Sequence, residues 1–407
     1  MRVLVMVDTY VPARVSGALQ MHDFARELQA QGHQPTVLVP AIELPTRWLL
    51  ERVDGVEVLR VRTLRTKDVG MLRRAVGECL LSFFMWRGLR ASPLAGVPWD
   101  GLIWYSPSIF LGPLVASLKR RHGCRAYLIL RDLFPDWAVD AGVMRRGLAY
   151  RFLKRVERYQ YAAASMIGVQ TSANVPLVAA SCIDSVARIE VLNNWLAAPA
   201  QPETADALPA SLAGRTIFVY TGNMGVAQGM DCLLDLALRL RSRDDIGFLF
   251  VGRGSEVTRL QQRVQAERLH NVVFRDEVDA GEIPGILRQC HVGLIALDPR
   301  HTTHNIPGKL ITYLRAGLPV LARINAGNDL EQLIDDEDIG RVCTGDRQDL
   351  LQQFAEDLAS SPDTRVRMGA AGLRLAERAF SPVSIVEQVV RQLQPDPVGL
   401  AGVLTGA

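Results

Sequence analysis

The stretch Ile217-Phe-Val-Tyr-Thr-Gly-Asn-Met-Gly-Val-Ala-Gln-Gly-Met230 gives the strongest structural signal in this chain. Its β-branched and aromatic residues predict a strand, its glycines a tight loop, and the pattern that follows a helix. Gly222, Gly225 and Gly229 allow the backbone to turn sharply and to approach a ligand. Free amides at the start of the following helix would suit an anion such as phosphate. The alternative is an ordinary strand–helix turn whose glycines serve only packing.

The same alternation of strand-like and helix-length segments continues on both sides of this stretch. Near the start, Met21, Phe24, Ala25 and Leu28 fall on one face of a helix that ends at Gly32. This alternation predicts parallel sheets wrapped by helices. The strand-like runs lie at residues 36–39, 56–61, 102–105, 126–130, 166–170, 189–192, 216–220, 247–251, 272–274, 292–297 and 319–322.

A change of composition divides these strands into two series. Residues 197–214 contain three prolines among alanines, which is typical of a linker. Because 407 residues exceed the size of one core, we predict two α/β domains. We place the N-terminal domain at 1–196, the C-terminal domain at 215–380, and a helix and tail at 381–407. Parallel sheets bind ligands beyond the carboxyl ends of their strands, so two facing domains would share one cleft.

Composition excludes several classes of protein. The chain is 48% hydrophobic and 22% charged, as in ordinary globular proteins. Since no apolar run reaches about 18 residues, we predict no transmembrane helix. The apolar start, residues 1–7, predicts a buried first strand and is too short for a signal peptide, so we expect a cytosolic protein. Six cysteines occur singly without a Cys-x-x-Cys pair, which argues against a zinc site and a disulfide framework.

The charge of the chain is unevenly distributed. Residues 1–195 contain 25 Lys and Arg against 16 Asp and Glu, a balance of +9, and the remainder has 21 against 27, or −6. The imbalance is greatest within 58–90, which we call the basic cluster. This cluster predicts an anionic partner. Its basic residues are Arg60, Arg62, Arg65, Lys67, Arg73, Arg74, Arg87 and Arg90, against Asp68 and Glu78.

A second informative segment follows the glycine loop by about eighty residues. Pro307 and Gly308 open a helix, Lys309 lies in its first turn, and Gly317 ends it. A lysine in a first turn opposes the helix dipole, so an anion is needed to offset it. Phosphate is the natural candidate. The alternative is a solvated surface lysine.

These motifs together resemble the GT-B glycosyltransferases of family 4, and within it the WbuB-like amino-sugar transferases of bacterial surface polysaccharide synthesis. In those enzymes a P-S-K-x-x-E-Y-x-x-x-G-x-P-V segment binds the nucleotide sugar, and Pro307-Gly-Lys-Leu-Ile-Thr-Tyr-Leu-Arg-Ala-Gly-Leu-Pro-Val320 is similar to it. The resemblance extends from about residue 1 to 380. The other similar segments are Tyr220-Thr-Gly-Asn-Met-Gly-Val-Ala-Gln-Gly229, Leu192-Asn-Asn-Trp195, Arg131-Asp-Leu-Phe-Pro-Asp136, Val251-Gly-Arg-Gly254 with 271–274, and Leu28-Gln-Ala-Gln-Gly-His33.

The resemblance implies two Rossmann-like αβα domains facing a central cleft, with a C-terminal helix that crosses back to the N-terminal domain. Two departures from the family stand out. Two glutamates of the family, one near the transferred sugar and one on the ribose, correspond here to His304 and Thr312. Many relatives also hold the diphosphate with an Arg and a Lys after the glycine loop, where this chain has Asn223 and Gln228.

The mechanism that the resemblance implies is retaining transfer from a UDP-sugar, without a metal or other cofactor. Preorganised donors would stabilise the charge that grows on the departing diphosphate. We expect the diphosphate on the amides of Gly222–Gly225 and on Lys309, and the transferred sugar near His304 and Asn305. The expected donor contacts are Gly222, Asn223, Met224, Gly225, Gln228 and Lys309 for the diphosphate, and Arg275, Asp276, Glu277 and Thr312 for the base and ribose.

The N-terminal domain is expected to supply the acceptor side. Ser16 and Gly17 would approach the diphosphate or acceptor, and Asp132, just past a strand end, would reach the acceptor or transferred sugar. We therefore assign Asp132 and Lys309 as catalytic. An alternative for Asp132 is to cap the next turn or to pair with Arg131.

An apolar run at 77–90 overlaps the basic cluster. One interpretation is a segment that lies in a membrane interface, where it attracts anionic lipid or a polyprenyl diphosphate. The other is a core helix that buries four apolar residues, Leu80, Phe83, Phe84 and Trp86. Nucleic acid is not an expected partner, because no recognisable binding module is present.

The preferred interpretation is an enzyme peripheral on the cytoplasmic face of the membrane that moves an amino sugar from UDP to a lipid-linked acceptor. Two alternatives remain open. A UDP-N-acetylglucosamine 2-epimerase would need paired acid/base carboxylates, which the sequence does not reveal. A catalytically silent GT-B subunit that binds nucleotide sugar is favoured by His304 and Thr312.

Overall fold

The computed structural model describes residues 1–13, 15–66, 70–140, 142–182, 186–197, 207–298 and 306–394. The chain divides into two units, one of Met1–Asn193 with Pro382–Ala407 and one of Asn194–Ser381. Each unit has a mainly parallel sheet covered by helices, which confirms the predicted α/β class. Residues 198–206 of the predicted linker lie outside the described residues.

The first unit contains an eight-stranded sheet in the order β3-β4-β2-β1-β5-β6-β7-β8. Only the β3–β4 pair is antiparallel among the described strands. In β5 every residue is buried, because helices cover both faces of a parallel sheet. The strands are β1 (Arg2–Met6), β2 (Gln34–Ala41), β3 (Trp48–Val53), β4 (Val56–Arg62), β5 (Gly101–Tyr105), β6 (Arg125–Ile129), β7 (Met166–Val169) and β8 (Arg188–Val191).

The helices of this unit connect successive strands. The first helix buries Met21, Phe24, Ala25 and Leu28, as their spacing predicted, and Gly32 follows its end with a φ of 81°. The helices are α1 (Ser16–Ala30), α2 (Met71–Cys79), α3 (Leu81–Ala91), α4 (Gly112–His122), α5 (Asp136–Asp140), α6 (Leu148–Ala163) and α7 (Asn174–Ser181).

The second unit contains a six-stranded parallel sheet in the order β11-β10-β9-β12-β13-β14. Its strands are β9 (Thr216–Thr221), β10 (Ile246–Val251), β11 (Val272–Arg275), β12 (Val292–Ala296), β13 (Val320–Ile324) and β14 (Gly340–Thr344). Its helices are α8 (Asp231–Arg239), α9 (Val257–Ala266), α10 (Ile283–Leu287), α11 (Gly308–Arg315), α12 (Asp329–Glu337), α13 (Gln348–Ser360) and α14 (Pro362–Ala379).

Two strands, β3 and β14, were missed by the sequence pattern. Each is the edge strand of its sheet, so only one side pairs with a neighbour. Strand β3 contains Glu51 and Arg52, and β14 contains Arg341, which interrupt the apolar runs that marked the central strands. Edge strands tolerate such charges because part of their surface faces water.

The order of strands reverses direction once in each sheet. In the first unit the reversal lies between β1 and β5, and in the second between β9 and β12. At such a point neighbouring connections leave in opposite directions and open a crevice beyond the carboxyl ends of the strands. The loops that follow β1 and β9 therefore lie where each fold provides space for a ligand.

The segment at 77–90 forms a core helix, but with a different buried face from the predicted one. The buried residues of α3 include Leu81, Met85 and Leu89, at the spacing of one helical face. Leu80 and Phe83 are exposed, so the core-helix alternative is wrong for these two residues, whereas Phe84 and Trp86 are half-buried. The cause is the close approach of α3 to β4 at Gly88, where a Cβ atom would lie 2.2 Å from Val61, so the face with Gly88 packs on the sheet. No helix in the described part of the chain is both long and apolar enough to span a membrane.

A final helix, α15 (Pro382–Leu393), belongs to the first unit and confirms the expectation that the C-terminal helix returns there. It packs against α1 and β6. Its buried residues include Ile385, Val386 and Val389, and the Gln388 side-chain amide donates to the Val191 carbonyl over 2.9 Å.

We predict that Ile385→Ala lowers the free energy of unfolding of the first unit by about 2–4 kcal/mol, because it leaves a cavity under α15. Tryptophan fluorescence during urea unfolding measures this effect, since Trp48, Trp86, Trp99, Trp104 and Trp137 all lie in the first unit. The control is Val383→Ala on the exposed face of the same helix. Equal losses for the two variants would contradict the packing of α15 described above.

Candidate functional site

The glycine loop of the second unit is anchored by the last residues of β9. The Tyr220 hydroxyl donates to the Asn223 carbonyl over 2.7 Å, and the Thr221 amide donates to the Tyr313 hydroxyl of α11 over 2.9 Å. Tyr313 is fully buried, and its ring occupies the space that a side chain at position 293 of β12 would need. These contacts join the loop, α11 and the centre of the sheet.

The loop after β10 packs directly against the glycine loop. A Cβ atom on Gly252 would lie 2.1 Å from the Gly222 carbonyl oxygen, and one on Gly254 would lie 2.2 Å from the Met224 carbonyl oxygen. Both glycines have positive φ angles, 142° and 156°. Packing therefore explains the two glycines of the Val251-Gly-Arg-Gly254 motif, since only glycine allows the two backbones to approach so closely.

Most amides of the glycine loop already have acceptors within the protein. Gly222 donates to the Val251 carbonyl over 2.9 Å and Met224 to the Arg253 carbonyl over 2.7 Å. Gly225 donates to Gln228 Oε1 over 3.0 Å. Of the four amides assigned to an anion from the sequence, only that of Asn223 has no acceptor among the described residues. Of the four amides expected to bind a diphosphate, the Asn223 amide is therefore the one that is not already used within the described part of the protein.

The two polar side chains of the glycine loop contact each other. Asn223 Nδ2 donates to Gln228 Oε1 over 3.1 Å, so Gln228 holds the loop as well as facing solvent. The next helix, α8, starts with Asp231, which forms ion pairs with Arg259 and Arg263. A carboxylate thus already complements the dipole at the start of α8.

Lys309 lies in the first turn of α11, as the sequence pattern predicted. Tyr313 is one helical turn further along and fixes this helix against β9 and β12. The Lys309 ammonium lies 3.6 Å from the centroid of the Tyr220 ring, in a cation–π contact. Loss of solvation lowers the pKa of this ammonium to about 7. No acidic side chain among the described residues pairs with Lys309.

These features make Lys309 a candidate for binding an anion. A desolvated ammonium at the positive end of a helix is electrostatically unfavourable unless a negative charge approaches it. The Tyr220 ring compensates only part of the lost hydration. An anionic ligand at this position would raise the pKa of Lys309 and restore its full charge.

The other residues expected to contact the donor lie at neighbouring strand ends or outside the described residues. Arg275 ends β11 and lies 3.9 Å from Glu282, whereas Glu277 pairs with Arg253 over 3.2 Å. Asp276 is exposed, and Thr312 is half-buried on α11. His304 and Asn305 are not among the described residues. Contacts of these side chains with a nucleotide stay a prediction.

The first unit has its own cavity, of about 600 Å³, beside the reversal point of its sheet. Its walls are the loops that follow β1, β5 and β6, together with the ends of β2 and β4. Many wall residues are apolar, among them Ile42, Leu64, Phe110, Phe134 and Trp137. The charged wall residues are Asp8, Arg60, Arg74, Glu78 and Asp132.

Asp132 shares this cavity wall with Asp8, a residue that the sequence analysis did not assign to the site. Burial raises the pKa of the Asp132 carboxyl, the Asp8 carboxylate raises it further, and Arg131 lowers it. Burial raises the pKa of Tyr105 and both carboxylates raise it further; its ring lies 3.2 Å from the position of a Cβ on Gly17. The structure therefore brings Gly17, Asp8 and Asp132 around Tyr105, while Ser16 starts α1 with an exposed side chain.

Arg131 connects two of the segments that resemble the glycosyltransferase family. Its buried guanidinium donates to the carbonyls of Leu192 over 2.6 Å and Asn193 over 3.0 Å. Burial lowers the pKa of Arg131 to about 10, so it stays charged at neutral pH. The Arg131–Asp136 and Leu192–Trp195 segments are thus joined by one side chain that fixes the backbone beside Asp132.

A chain of hydrogen bonds supports the opposite wall of the cavity. The Tyr10 hydroxyl lies 3.0 Å from His22 Nδ1, and His22 Nε2 lies 2.9 Å from the Asp54 carboxylate. Tyr10 lines the cavity and His22 is buried on α1. Within the described ranges, no group of three metal-ligating side chains is present.

Comparison with known proteins identifies the second unit. Residues 215–360 match the family described as Glycosyl transferases group 1. The chain is 24% identical to the probable glycosyltransferase WbjE of Pseudomonas aeruginosa over 232 residues, which cover 56% of this chain and 58% of WbjE. It is also 24% identical to the putative colanic acid biosynthesis glycosyl transferase WcaI of Escherichia coli over 389 residues, 86% of this chain and 92% of WcaI.

Solved structures agree on the architecture. HepE of Anabaena, in complex with UDP, superposes with a TM-score of 0.64 at 14% identity and covers 97% of this chain and 99% of HepE. At this identity the likeness shows the fold alone. The chain accordingly has the two parallel-sheet domains of the GT-B fold, and the match to the group 1 glycosyltransferase family lies within its second unit.

We predict that Gly254→Ala lowers the free energy of unfolding by more than about 2 kcal/mol, because a Cβ cannot fit against the Met224 carbonyl and the φ angle is unfavourable. The control is Gly308→Ala, whose Cβ would meet no heavy atom within 4 Å. Thermal unfolding of the two variants measures the difference. Similar stability of both would show that the two loops do not pack as described.

Proposed function

We propose that this chain is a retaining, metal-independent glycosyltransferase of family 4, of the WbuB-like group. It moves an N-acetyl amino sugar from a UDP-sugar to a polyprenyl-diphosphate-linked or other lipid-linked acceptor of bacterial surface polysaccharide. The observation that carries the proposal is the desolvated Lys309 ammonium beside the glycine loop. The relatives WbjE and WcaI, a probable glycosyltransferase and a putative glycosyl transferase of colanic acid biosynthesis, support the reaction class.

The donor in this proposal binds at the carboxyl edge of the second sheet. Lys309 contacts the diphosphate, and the Asn223 amide and side chain add hydrogen bonds. Arg275, Asp276, Glu277 and Thr312 contribute to the base and ribose site, and His304 and Asn305 contact the sugar. Support for uridine comes from HepE, a protein of the same fold in complex with UDP.

Lys309 contributes to the reaction through charge. When the glycosidic bond to the diphosphate breaks, negative charge grows on the leaving oxygen, and a cation already in place stabilises it. One such preorganised donor contributes about 3–4 kcal/mol in other enzymes. Because the ammonium is desolvated before the ligand arrives, its interaction with the diphosphate is less screened than a surface contact would be.

The acceptor in this proposal occupies the cavity of the first unit. Apolar walls suit a lipid-linked molecule, and Arg60 and Arg74 provide positive charge for its phosphates. Asp132 would accept the proton of the attacking hydroxyl, because its raised pKa makes it a stronger base than an ordinary aspartate. The enzyme would work at the cytoplasmic face of the membrane.

The Asp8–Asp132 pair also favours a second candidate function. An isomerase of UDP-N-acetylglucosamine needs two carboxyl groups that exchange protons with the sugar, and this pair provides them in one cavity. Product analysis separates the candidates. Incubation with UDP-N-acetylglucosamine alone would yield an epimer from an isomerase, whereas a transferase would release UDP only with an acceptor.

We predict that UDP binds to the native protein in calorimetric titration and that Lys309→Ala weakens its affinity by about 10- to 100-fold through loss of a charged contact. Asn223→Ala should weaken binding less, and a chelator should have no effect. The control is Lys119→Ala, a lysine of the first unit that donates to the carbonyls of Ala163 and Ala164. Folded protein that binds no uridine nucleotide would overturn the proposal.

The affinity for UDP should fall as pH rises above neutrality. In the free protein Lys309 loses its proton near pH 7, whereas in the complex the diphosphate keeps Lys309 protonated. Each pH unit above 7 therefore costs about tenfold in affinity. Lys309→Arg should remove this dependence, because arginine stays charged over the whole range. A pH profile that is the same in the native protein and in Lys309→Arg would contradict the assignment of Lys309.

A further inference from the structure

Helix α6 of the first unit is amphipathic in the opposite sense from an ordinary surface helix. Its buried residues are Glu157, Gln160, Tyr161 and Ala163. On the other side, Leu148, Phe152 and Tyr159 are 83%, 52% and 49% exposed and share one face at the i, i+4, i+11 spacing. An exposed apolar stripe of this kind marks an interaction surface.

Leu148, Phe152 and Tyr159 are not the residues that hold the buried side of α6 in place. Lys154 pairs with Glu157 and with Asp136, the latter over 2.9 Å, and the Tyr161 hydroxyl donates to Glu157 over 3.1 Å. Trp104 Nε1 donates to Gln160 over 3.3 Å. These polar contacts and the burial of Tyr161 and Ala163 in the hydrophobic core together attach the helix, and its apolar stripe is left facing outward.

The exposed stripe is interleaved with positive charge. Among residues 143–160 there are six basic side chains, and Glu157 is the one acidic residue. Lys154 and Glu157 pair with each other, which leaves five exposed arginines. None of the five forms an ion pair with a side chain that the structure describes. They are Arg145, Arg146, Arg151, Arg155 and Arg158.

The basic cluster at 58–90 is different in this respect. Arg60 pairs with Glu51 over 2.6 Å, Arg65 with Glu43 over 3.0 Å and Arg74 with Glu78 over 2.9 Å. Three of the eight basic residues of this cluster are thus paired with described carboxylates, so part of its charge is compensated within the protein. We define the α6 surface as Leu148, Phe152 and Tyr159 with the five arginines above.

We propose that the α6 surface docks on an anionic lipid bilayer. Its arginines would contact lipid phosphates while Leu148 and Phe152 enter the boundary between headgroups and acyl chains. Arginine is well suited to this position because its planar guanidinium binds phosphate oxygens in pairs. The exposed apolar side chains that lie between these arginines favour the interface of an anionic membrane over an acidic protein partner, because a membrane interface takes up apolar and basic groups together.

This inference rests on the proposed function, since it specifies how the acceptor cavity would meet a lipid substrate. Helix α6 is tied to α5 by hydrogen bonds from Tyr150 and Lys154 to Asp136, over 2.6 and 2.9 Å. Helix α5 carries Trp137, an exposed residue of the cavity wall. A bilayer on the α6 surface would therefore lie beside an element that lines the cavity.

The test is sedimentation of the full chain with vesicles of phosphatidylcholine alone or mixed with phosphatidylglycerol. We expect binding to the mixed vesicles, weakened about tenfold by L148S/F152S and by R151E/R155E. The apolar control is Leu177→Ser on α7, also exposed in the first unit. The charge control is R73E/R87E, which reverses two exposed arginines of the basic cluster.

Each outcome decides the proposal. Loss of vesicle binding in both α6 variants, with the controls unchanged, supports it. Native protein that does not bind anionic vesicles overturns it, as does binding that survives in the α6 variants and is lost in R73E/R87E. Calorimetry with UDP separates this result from the proposed function, because α6 variants that lose vesicle binding should keep native affinity for UDP.

Discussion

A lysine ammonium held over an aromatic ring is the contact on which the second unit's site depends. The ring belongs to Tyr220 at the end of the central strand, and the lysine to the first turn of α11. The same tyrosine holds the Asn223 carbonyl, and Tyr313 of the same helix accepts the Thr221 amide. Loop, strand and helix are thus fixed around one cation that lacks both full hydration and an acidic partner among the described residues.

The choice of lysine at this position has chemical significance. The chain contains 46 Lys and Arg, but only four are lysines, and Lys309 is the one lysine between residues 194 and 381. Arginine would stay charged in any environment, whereas a lysine with a pKa near 7 can respond to the arrival and departure of a diphosphate. In the first unit, burial raises the pKa of the Asp132 carboxyl, and the like charge of Asp8 raises it further.

The sequence predicted the architecture well because central parallel strands are buried on both faces and read as apolar runs. Edge strands β3 and β14 lack that signal, so they were missed. Within the site, Pro307 and Gly308 marked the helix start that places Lys309, but nothing local revealed that Tyr220 would lie beneath it. Asp8 follows a strand as Asp132 does, yet its pairing depends on the neighbourhood of β1 and β6, which only the fold establishes.

The most direct test of this account is the pKa of Lys309, measured by NMR of labelled lysine side chains with and without UDP. With four lysines in the chain, Lys309→Arg assigns the signal unambiguously. The account predicts a pKa of about 7 in the free protein and a rise of more than about one unit with saturating UDP. A pKa near the ordinary lysine value, or one that UDP leaves unchanged, would contradict it.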